Sequence, residues 1–578
     1  MLWDLFFLAL RFEKILTENA IPVKKAFVLI PALLTGLISF LSAQTSLNNI
    51  GGGQIHGNFE LTAQYYIPDS IIGADTVPEK ALFNGFSNVT YTNGNFSAGI
   101  RYESYLNHLQ GYPDGYKGTG IPYRYASYKN DGLEITVGSS YEQFGSGLTL
   151  RMYEERALGY DNALEGFRVR YSPHKGIYLK GVYGKQRNFM SYGTGIVRGI
   201  DGEINLNELF ESRMDSVKTQ FIVGGSFVSK YQVDQDPFLV LPQNVGTWSA
   251  RTNIIRNKVN FFAEYAYKIN DPSSSNGFIY KPGEALFSSI TYSQKGFGAY
   301  LSVLRIDNFS FRSDRTAALQ QLQINSLPAL TKQHTYSLAA YYPFASQPNG
   351  QISWQGELNY KLKRGSKLGG KYGTDLTLNY SAAFGLDTNQ LHDENGRRYS
   401  YSSRYLSIGD TLFFQDVNLE VFRKFSKTWK ATFLYSHIIY NKNALEGKAN
   451  YPYINADVIV ADVIWHVNDK LTLRTDAEHL YVGGKKGHKE DHGNWATLLE
   501  EISLGDHYFV AVMDQWNYGN EDPDHRSHYF NVQGGFSKGT NRIVLGYGKQ
   551  RQGILCVGGV CRLVPASNGF TLTITSSF

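Results

Sequence analysis

Asn568-Gly569-Phe570-Thr571-Leu572-Thr573-Ile574-Thr575-Ser576-Ser577-Phe578 is the stretch whose reading decides the fold. From Phe570 to Ile574 it alternates strictly. Phe570, Leu572, Ile574 and Phe578 take one face, and Thr571, Thr573, Thr575 and Ser577 take the other. A period of two is the strand signal, because successive side chains leave a pleated backbone on opposite sides. About nine to eleven tilted residues cross a bilayer as a strand. The span from Phe570 onward meets that length, as would the last strand of a soluble sandwich.

The remaining 567 or so positions decide between the two. Tyr 41, Phe 35 and Gly 58 against 17 Pro describe a chain of strand formers and turn residues. A mean hydropathy of -0.30 excludes a helical membrane protein. It is compatible with a barrel, whose strands give half their residues to a polar interior. The one long apolar run is 26–41, preceded by Lys24-Lys25 and followed by Ser42-Ala43-Gln44. Basic, apolar and small-residue regions in that order read as a secretory signal peptide over residues 1–43, cut after Ala43, with an uncleaved anchor as the alternative. Residues 1–22 read as a start-site extension ahead of a true start near Val23. Without residues 1–43 the balance is 52 basic to 48 acidic groups, which gives no argument for a nucleic-acid partner. No later segment is apolar enough for a spanning helix, so a closed sheet is the expected spanning structure.

A short lead-in, 44–53, precedes the first alternating segment, 54–65, where Ile55, Phe59, Leu61 and Tyr65 oppose His56, Asn58, Glu60 and Gln64. Asn93-Gly94, flanked by 86–92 and 96–105, is a strong hairpin signal. Similar short turns recur at Asn130-Asp131-Gly132, Pro173-His174-Lys175-Gly176, Asn257-Lys258, Lys295-Gly296, Ser426-Lys427, Asn468-Asp469, Gly505-Asp506 and Lys538-Gly539. Longer polar segments at 268–283, 385–409 and 483–494 fall between them. Tight turns on one side and long loops on the other is the asymmetry of an outer-membrane barrel, not of a sandwich or propeller. Nine turns give at least twenty strands. Filling two wide gaps gives an all-β, large antiparallel up-and-down transmembrane β-barrel over 54–578, of roughly 22 to 26 strands. The lead-in is too short for an N-terminal cork the size of a domain.

Both cysteines lie in Cys556-Val557-Gly558-Gly559-Val560-Cys561. With Gly558-Gly559 as the turn, Cys556 faces Cys561 about 4.5 Å away, inside disulfide range. Export favours oxidation, while a metal or redox pair is the other reading.

Charge opposes an apolar face at Glu134, Glu142, Arg168, Arg170, Lys180, Glu420, Arg474, Asp476 and Glu478, the pattern of a mixed-charge lumen. It is densest between Glu142 and Arg170, where nine charged groups would be costly against lipid. The expectation is a constriction or folded-in loop. In it Arg151, Arg156, Arg168 and Arg170 pair with Glu142, Glu154, Glu155, Asp161 and Glu165, either as a solute site or as a structural network. His488-Lys489-Glu490-Asp491-His492 and the stretch from Asp522 to His528 could hold a metal, but read better as solvated loops. No catalytic set and no cofactor motif stands out; Gly51-Gly52-Gly53 precedes no helix that would cradle a phosphate.

The run from Arg151 to Arg170, the Pro173–Gly176 turn with Tyr183-Gly184-Lys185-Gln186-Arg187, and the ending from Cys556 to Phe578 resemble an uncharacterised outer-membrane β-barrel family of the Bacteroidota, the domain of unknown function 6029. The resemblance covers most of the mature chain and implies an outer-membrane barrel without an activity. Gly145-Ser146-Gly147-Leu148 followed by Asp161-Asn162-Ala163-Leu164-Glu165-Gly166-Phe167-Arg168 is similar, more distantly, to porin-like and alginate-export-type channels. The aromatic ending resembles the strand by which such barrels are taken up by the barrel-assembly machinery. The expected function is porin-like passage of a polar solute or export of a polymer, with outer-membrane lipid and the assembly machinery as partners. The alternatives are a non-conducting assembly or secretion accessory bound to a protein partner, and a surface-interaction barrel.

Overall fold

The computed structural model describes residues 52–578 except 215, 319, 392–399, 486–487, 490 and 558–559. The signal peptide, most of the lead-in and the Gly558-Gly559 turn therefore lie outside the described residues. Twenty-four antiparallel strands follow one another around a single sheet. The first, Gln54–Tyr66, pairs with the last, Ser567–Ser577, which closes the barrel. Closure leaves no open edge, the condition a sheet must meet inside a bilayer.

Pleat and turn chemistry produce this directly. On Phe96–Tyr105 the outward Phe96, Ile100 and Tyr102 are exposed, whereas the inward Arg101 and Glu103 are buried. The same greasy outer face continues through Val137, Phe167, Ile200, Phe227, Leu301, Leu358, Phe433, Ile459 and Leu545. All nine sequence-predicted turns join neighbouring strands. At Gly94 the backbone takes a φ of 55°, which suits glycine at a tight hairpin. Two further connections on the turn side complete the count. One, 206–218, carries the helices Leu206–Leu209 and Glu211–Met214; the other is 363–373. Asn205 caps the first of these helices by accepting from the Asn207 and Glu208 backbone N–H groups. On the other side the loops are long, with one exception: Phe189-Met190 alone joins Ile177–Asn188 to Ser191–Asn205.

In the terminal strand Phe570, Leu572 and Ile574 pair with Tyr547, Leu545 and Ile543 on one side, and with Tyr65, Ala63 and Leu61 on the other. Phe578 exchanges both backbone hydrogen bonds with Gly57, at 2.9 and 3.0 Å. Its ring lies over that glycine, where an added Cβ would come within 2.3 Å. The cysteines form a Cys556–Cys561 disulfide with Cα atoms 4.0 Å apart, in a small loop-side hairpin of Gly553–Val557 and Val560–Val564.

The wide gap before Ser426 holds one further turn-side hairpin, Gly350–Leu362 with Thr374–Leu391 across 363–373. Thr374–Leu391 and the strand after it, Ser400–Lys424, are unusually long. Beyond the sheet they lean over the outer face. There Tyr401 and Ser403 donate to Asp307, and the Arg305 guanidinium meets Glu284 at 2.7 Å and lies 4.5 Å from the Tyr405 ring. The remainder of the gap, 308–349, enters the barrel.

Candidate functional site: the occupied lumen

Two loop-side segments fill the interior. Their sequences explain why: both mix aromatic and aliphatic residues with polar ones, so each needs an apolar surface and hydrogen-bond partners together. Segment 141–163 turns inward from Leu133–Ser140. Its Ser146 N–H donates at 2.7 Å to Glu264, a fully buried carboxylate on Val259–Lys268 that also accepts from Ser249. Segment 308–349 is a strap with a closed neck, where the Asn308 and Phe309 N–H groups donate to the carbonyls of Asn349 and Pro348. The segments bond to each other, Arg151 N–H to Ile324 O at 2.8 Å and Ser326 N–H to Gly147 O at 3.0 Å.

The strap crosses the full bore. At one end the Gln323 carbonyl accepts from Asn162 and from Gln186, on the seventh strand around the barrel. At the other, the Ser337 and Leu338 N–H groups donate to Glu478 at 3.0 and 2.6 Å, on the nineteenth strand and so diametrically opposite in a ring of twenty-four. Between these ends it is pinned in succession. Lys332 reaches Glu357 at 2.8 Å, His334 reaches Asp416 at 2.9 Å, Tyr336 donates to Asp462 at 3.2 Å, and Gln515 donates to the Ser337 hydroxyl at 2.8 Å. A charge-assisted bond contributes about 1.5–3 kcal/mol, so the row is collectively strong although each anchor is exchangeable with water.

Apolar packing adds to these anchors. Leu338, Tyr342 and Phe344 bury themselves against Phe414, Leu434, Ile438, Ile454, Val458, Val460 and Leu480. Phe144, Leu150, Phe311 and Ile324 do the same against Val182, Val197, Val228 and Val245. This corrects the expectation of a hydrophilic interior throughout. Parts of the loop-side inner wall are apolar, beside buried charges, because inserted chain covers them.

The predicted charged residues divide. Arg168 and Arg170 point inward from Leu164–His174, Arg168 onto Glu134 and Thr136, Arg170 onto Glu142 at 2.6 Å, with Lys180 3.4 Å from the same carboxylate. Arg156 bonds Glu154 at 2.7 Å and sits 3.8 Å from the Phe86 ring centre. Asp161 and Glu154 meet Arg101, at 2.5 and 2.8 Å, and Asp161 also meets Arg187 at 2.6 Å. Glu103 joins both guanidiniums, so the centre of the network is Arg101, Glu103, Asp161 and Arg187, all buried. Period two puts Arg101 and Glu103 on the polar face of Phe96–Tyr105, but nothing in the sequence links them to Asp161 or Arg187.

Three residues depart from the expected pairing. Arg151 makes no ion pair among the described residues; it donates to Ser326 and lies 4.4 Å from the Tyr153 ring. Glu155 caps the short turn that follows it by accepting from Ala157 N–H. Glu165 shares the outward register of Phe167 and meets Arg124 at 3.2 Å and Ser139 at 2.6 Å, because odd-numbered positions of that strand face out.

A second buried cluster guards the neck. Asp271 takes Lys230 at 2.6 Å and Lys268 at 3.4 Å, and Lys268 donates to the Ser310 carbonyl at the start of the strap. Burial pushes the Asp271 carboxyl up, but the two ammonium groups outweigh it and hold it below the usual carboxylate range. In the loop at 483–494 burial likewise opposes ionisation of Asp491. His492 and Lys442, with hydrogen bonds from Lys442 and Tyr451, hold that carboxyl low, and Tyr342 of the strap donates to it at 3.1 Å. Of the other metal candidates, His525 pairs with Asp522 and His528 with Asp514. Among the described residues no three His, Cys, Asp or Glu side chains converge as metal ligands.

Residues 23–578 match a family described only as a family of unknown function, DUF6029. No curated protein matches. Among solved structures, the P pilus usher (PapC) translocation pore aligns at 10% identity and a TM-score of 0.43, over 90% of this chain and 99% of that one. The ferric enterobactin receptor PfeA of Pseudomonas aeruginosa aligns at 10% and 0.41, over 91% and 80%. OccK5 of the same organism aligns at 10% and 0.34, over 71% and 97%.

Proposed function

The chain belongs to the DUF6029 family, and from that premise we propose that it is a porin-like channel of the outer membrane, held shut at rest by its own strap. On this reading a polar solute or polymer passes when 308–349 swings on its neck. The work is passage and not catalysis, and the chain carries no cofactor. The outward apolar belt and the closed sheet support a membrane-spanning barrel. The observation that carries gating is the row of polar anchors from Lys332 to Leu338, which bridges the bore with contacts that water can replace. The apolar packing of Leu338, Tyr342 and Phe344 favours a second reading, a permanently sealed accessory or surface-interaction barrel that acts through its loops on a protein partner.

Planar-bilayer recording separates the two. With 326–344 replaced by a short Gly-Ser linker, a gated channel opens to a steady, large conductance from a nearly closed parent. An assembled barrel that stays silent after this replacement rejects the channel and leaves the accessory.

A further inference from the structure

Near the loop-side rim, most charge on the outer face pairs off. Arg305 meets Glu284 at 2.7 Å, Arg124 meets Glu165 at 3.2 Å and His437 meets Asp457 at 2.9 Å. Arg198 breaks the pattern. It shares the outward register of Ile200, which is 65% exposed, two pairs in from the loop-side end of the ladder with Thr219–Tyr231. Its guanidinium donates at 2.8 Å to a neutral group, the Asn244 side chain, and its Nε finds no acceptor. Among the described residues it has no ion pair. On the adjoining strand, outward Lys185 stands exposed; the Glu165 opposite it in register is already engaged by Arg124 and Ser139.

The row beside Arg198 continues with Ser229 and Gly246. Their small size leaves a groove of about 590 Å³, bounded by Ile200, Phe227 and Trp248. A cation facing acyl chains is costly at the bilayer centre and tolerated toward the headgroups, where Trp also concentrates. An unneutralised guanidinium at the head of a greasy groove therefore calls for an anion that brings its own hydrocarbon.

We propose that this groove binds a phosphorylated glycolipid of the outer leaflet, with phosphate on Arg198 and Lys185 and an acyl chain along Ile200, Phe227 and Trp248. Both chain ends of the sheet lie on the turn side, so in an outer membrane the loop-side rim faces that leaflet. The site depends on residence in the bilayer and not on whether the bore conducts.

The test uses the purified full chain in detergent, titrated by native mass spectrometry with bis-phosphorylated lipid A, with dephosphorylated lipid A and with phosphatidylglycerol. Each cation at a charged surface is worth about a fivefold change in affinity, so two give about 30-fold. The parent is expected to retain phosphorylated over dephosphorylated lipid A by about 30-fold. Arg198→Ala should cost about fivefold, Arg198→Ala with Lys185→Ala the whole preference, and Arg198→Lys little. Heat-modifiable gel mobility reports that each variant is an assembled barrel. Equal retention of the dephosphorylated lipid, or an unchanged preference in the double variant, overturns the site. Retention of phosphatidylglycerol equal to that of lipid A overturns the glycolipid as its occupant.

Discussion

Glu478→Ala isolates the hold of the wall on the strap. The carboxylate is buried on Leu471–Val482, and each of its oxygens accepts one backbone N–H of the strap, from Ser337 and Leu338. Truncation leaves two buried donors unpaired at about 1–3 kcal/mol each. Water entering the vacated space from the bore limits the loss to the lower end, about 2 kcal/mol. That difference falls on the strap-seated state alone, since a displaced strap has its N–H groups in water. The open fraction should therefore rise about 30-fold. Single-channel recording at fixed voltage measures it, with heat-modifiable mobility as the check on assembly. An assembled variant whose open fraction matches the parent would refute the argument that these two bonds hold the strap in place.

Other perturbations probe the neck, the seam and the network. Asp271→Asn strands two buried ammonium groups and should destabilise the neck by about 3–5 kcal/mol, read as a lower thermal midpoint of the purified barrel. The Asp271 carboxyl is held below its ordinary value, so its contribution is complete above about pH 3.9 and is lost as pH falls through the depressed folded value. The parent should accordingly lose strap protection from protease on acidification, and the Asn variant should show no such step. Gly57→Val drives a side chain into the Phe578 ring and should lower the yield of heat-modifiable barrel, whereas Gly85→Val, whose nearest contact is a ring at 3.0 Å, should cost less. Arg168→Ala with Arg170→Ala leaves Glu134 and Glu142 short of partners and should shift the strap-free pore toward cations in reversal-potential measurements. Unchanged selectivity would make that network purely structural.

The barrel was legible because its signals are local. Asn93-Gly94 and its eight counterparts carry their own geometry, and period two assigns faces to strands such as Phe96–Tyr105. The connection at 206–218 was missed because its turn is built by a capped helix without a tight-turn dipeptide. The strap was missed for a different reason. Residues 308–349 have no period, and their partners (Glu357, Asp416, Asp462, Glu478) are remote in sequence. One sign was present: Ile438-Ile439-Tyr440 and Val458-Ile459-Val460 are apolar on both faces, which a strand between lipid and water has no reason to be. Glu165 could not be assigned to the outside without the register, since one residue of slip exchanges the faces.

The strap also fixes an order of events. Asn308 and Asn349 tether it between the thirteenth and fourteenth strands; Gln186 and Lys268, which hold its first half, precede it in the chain, whereas Glu357, Asp416 and Glu478, which hold its second half, follow it. A hoop already sealed between Gln54–Tyr66 and Ser567–Ser577 would have to admit those 42 residues through its mouth. Wrapping the later staves around a core already lying in place avoids that passage, so the last seam zips over a filled vessel.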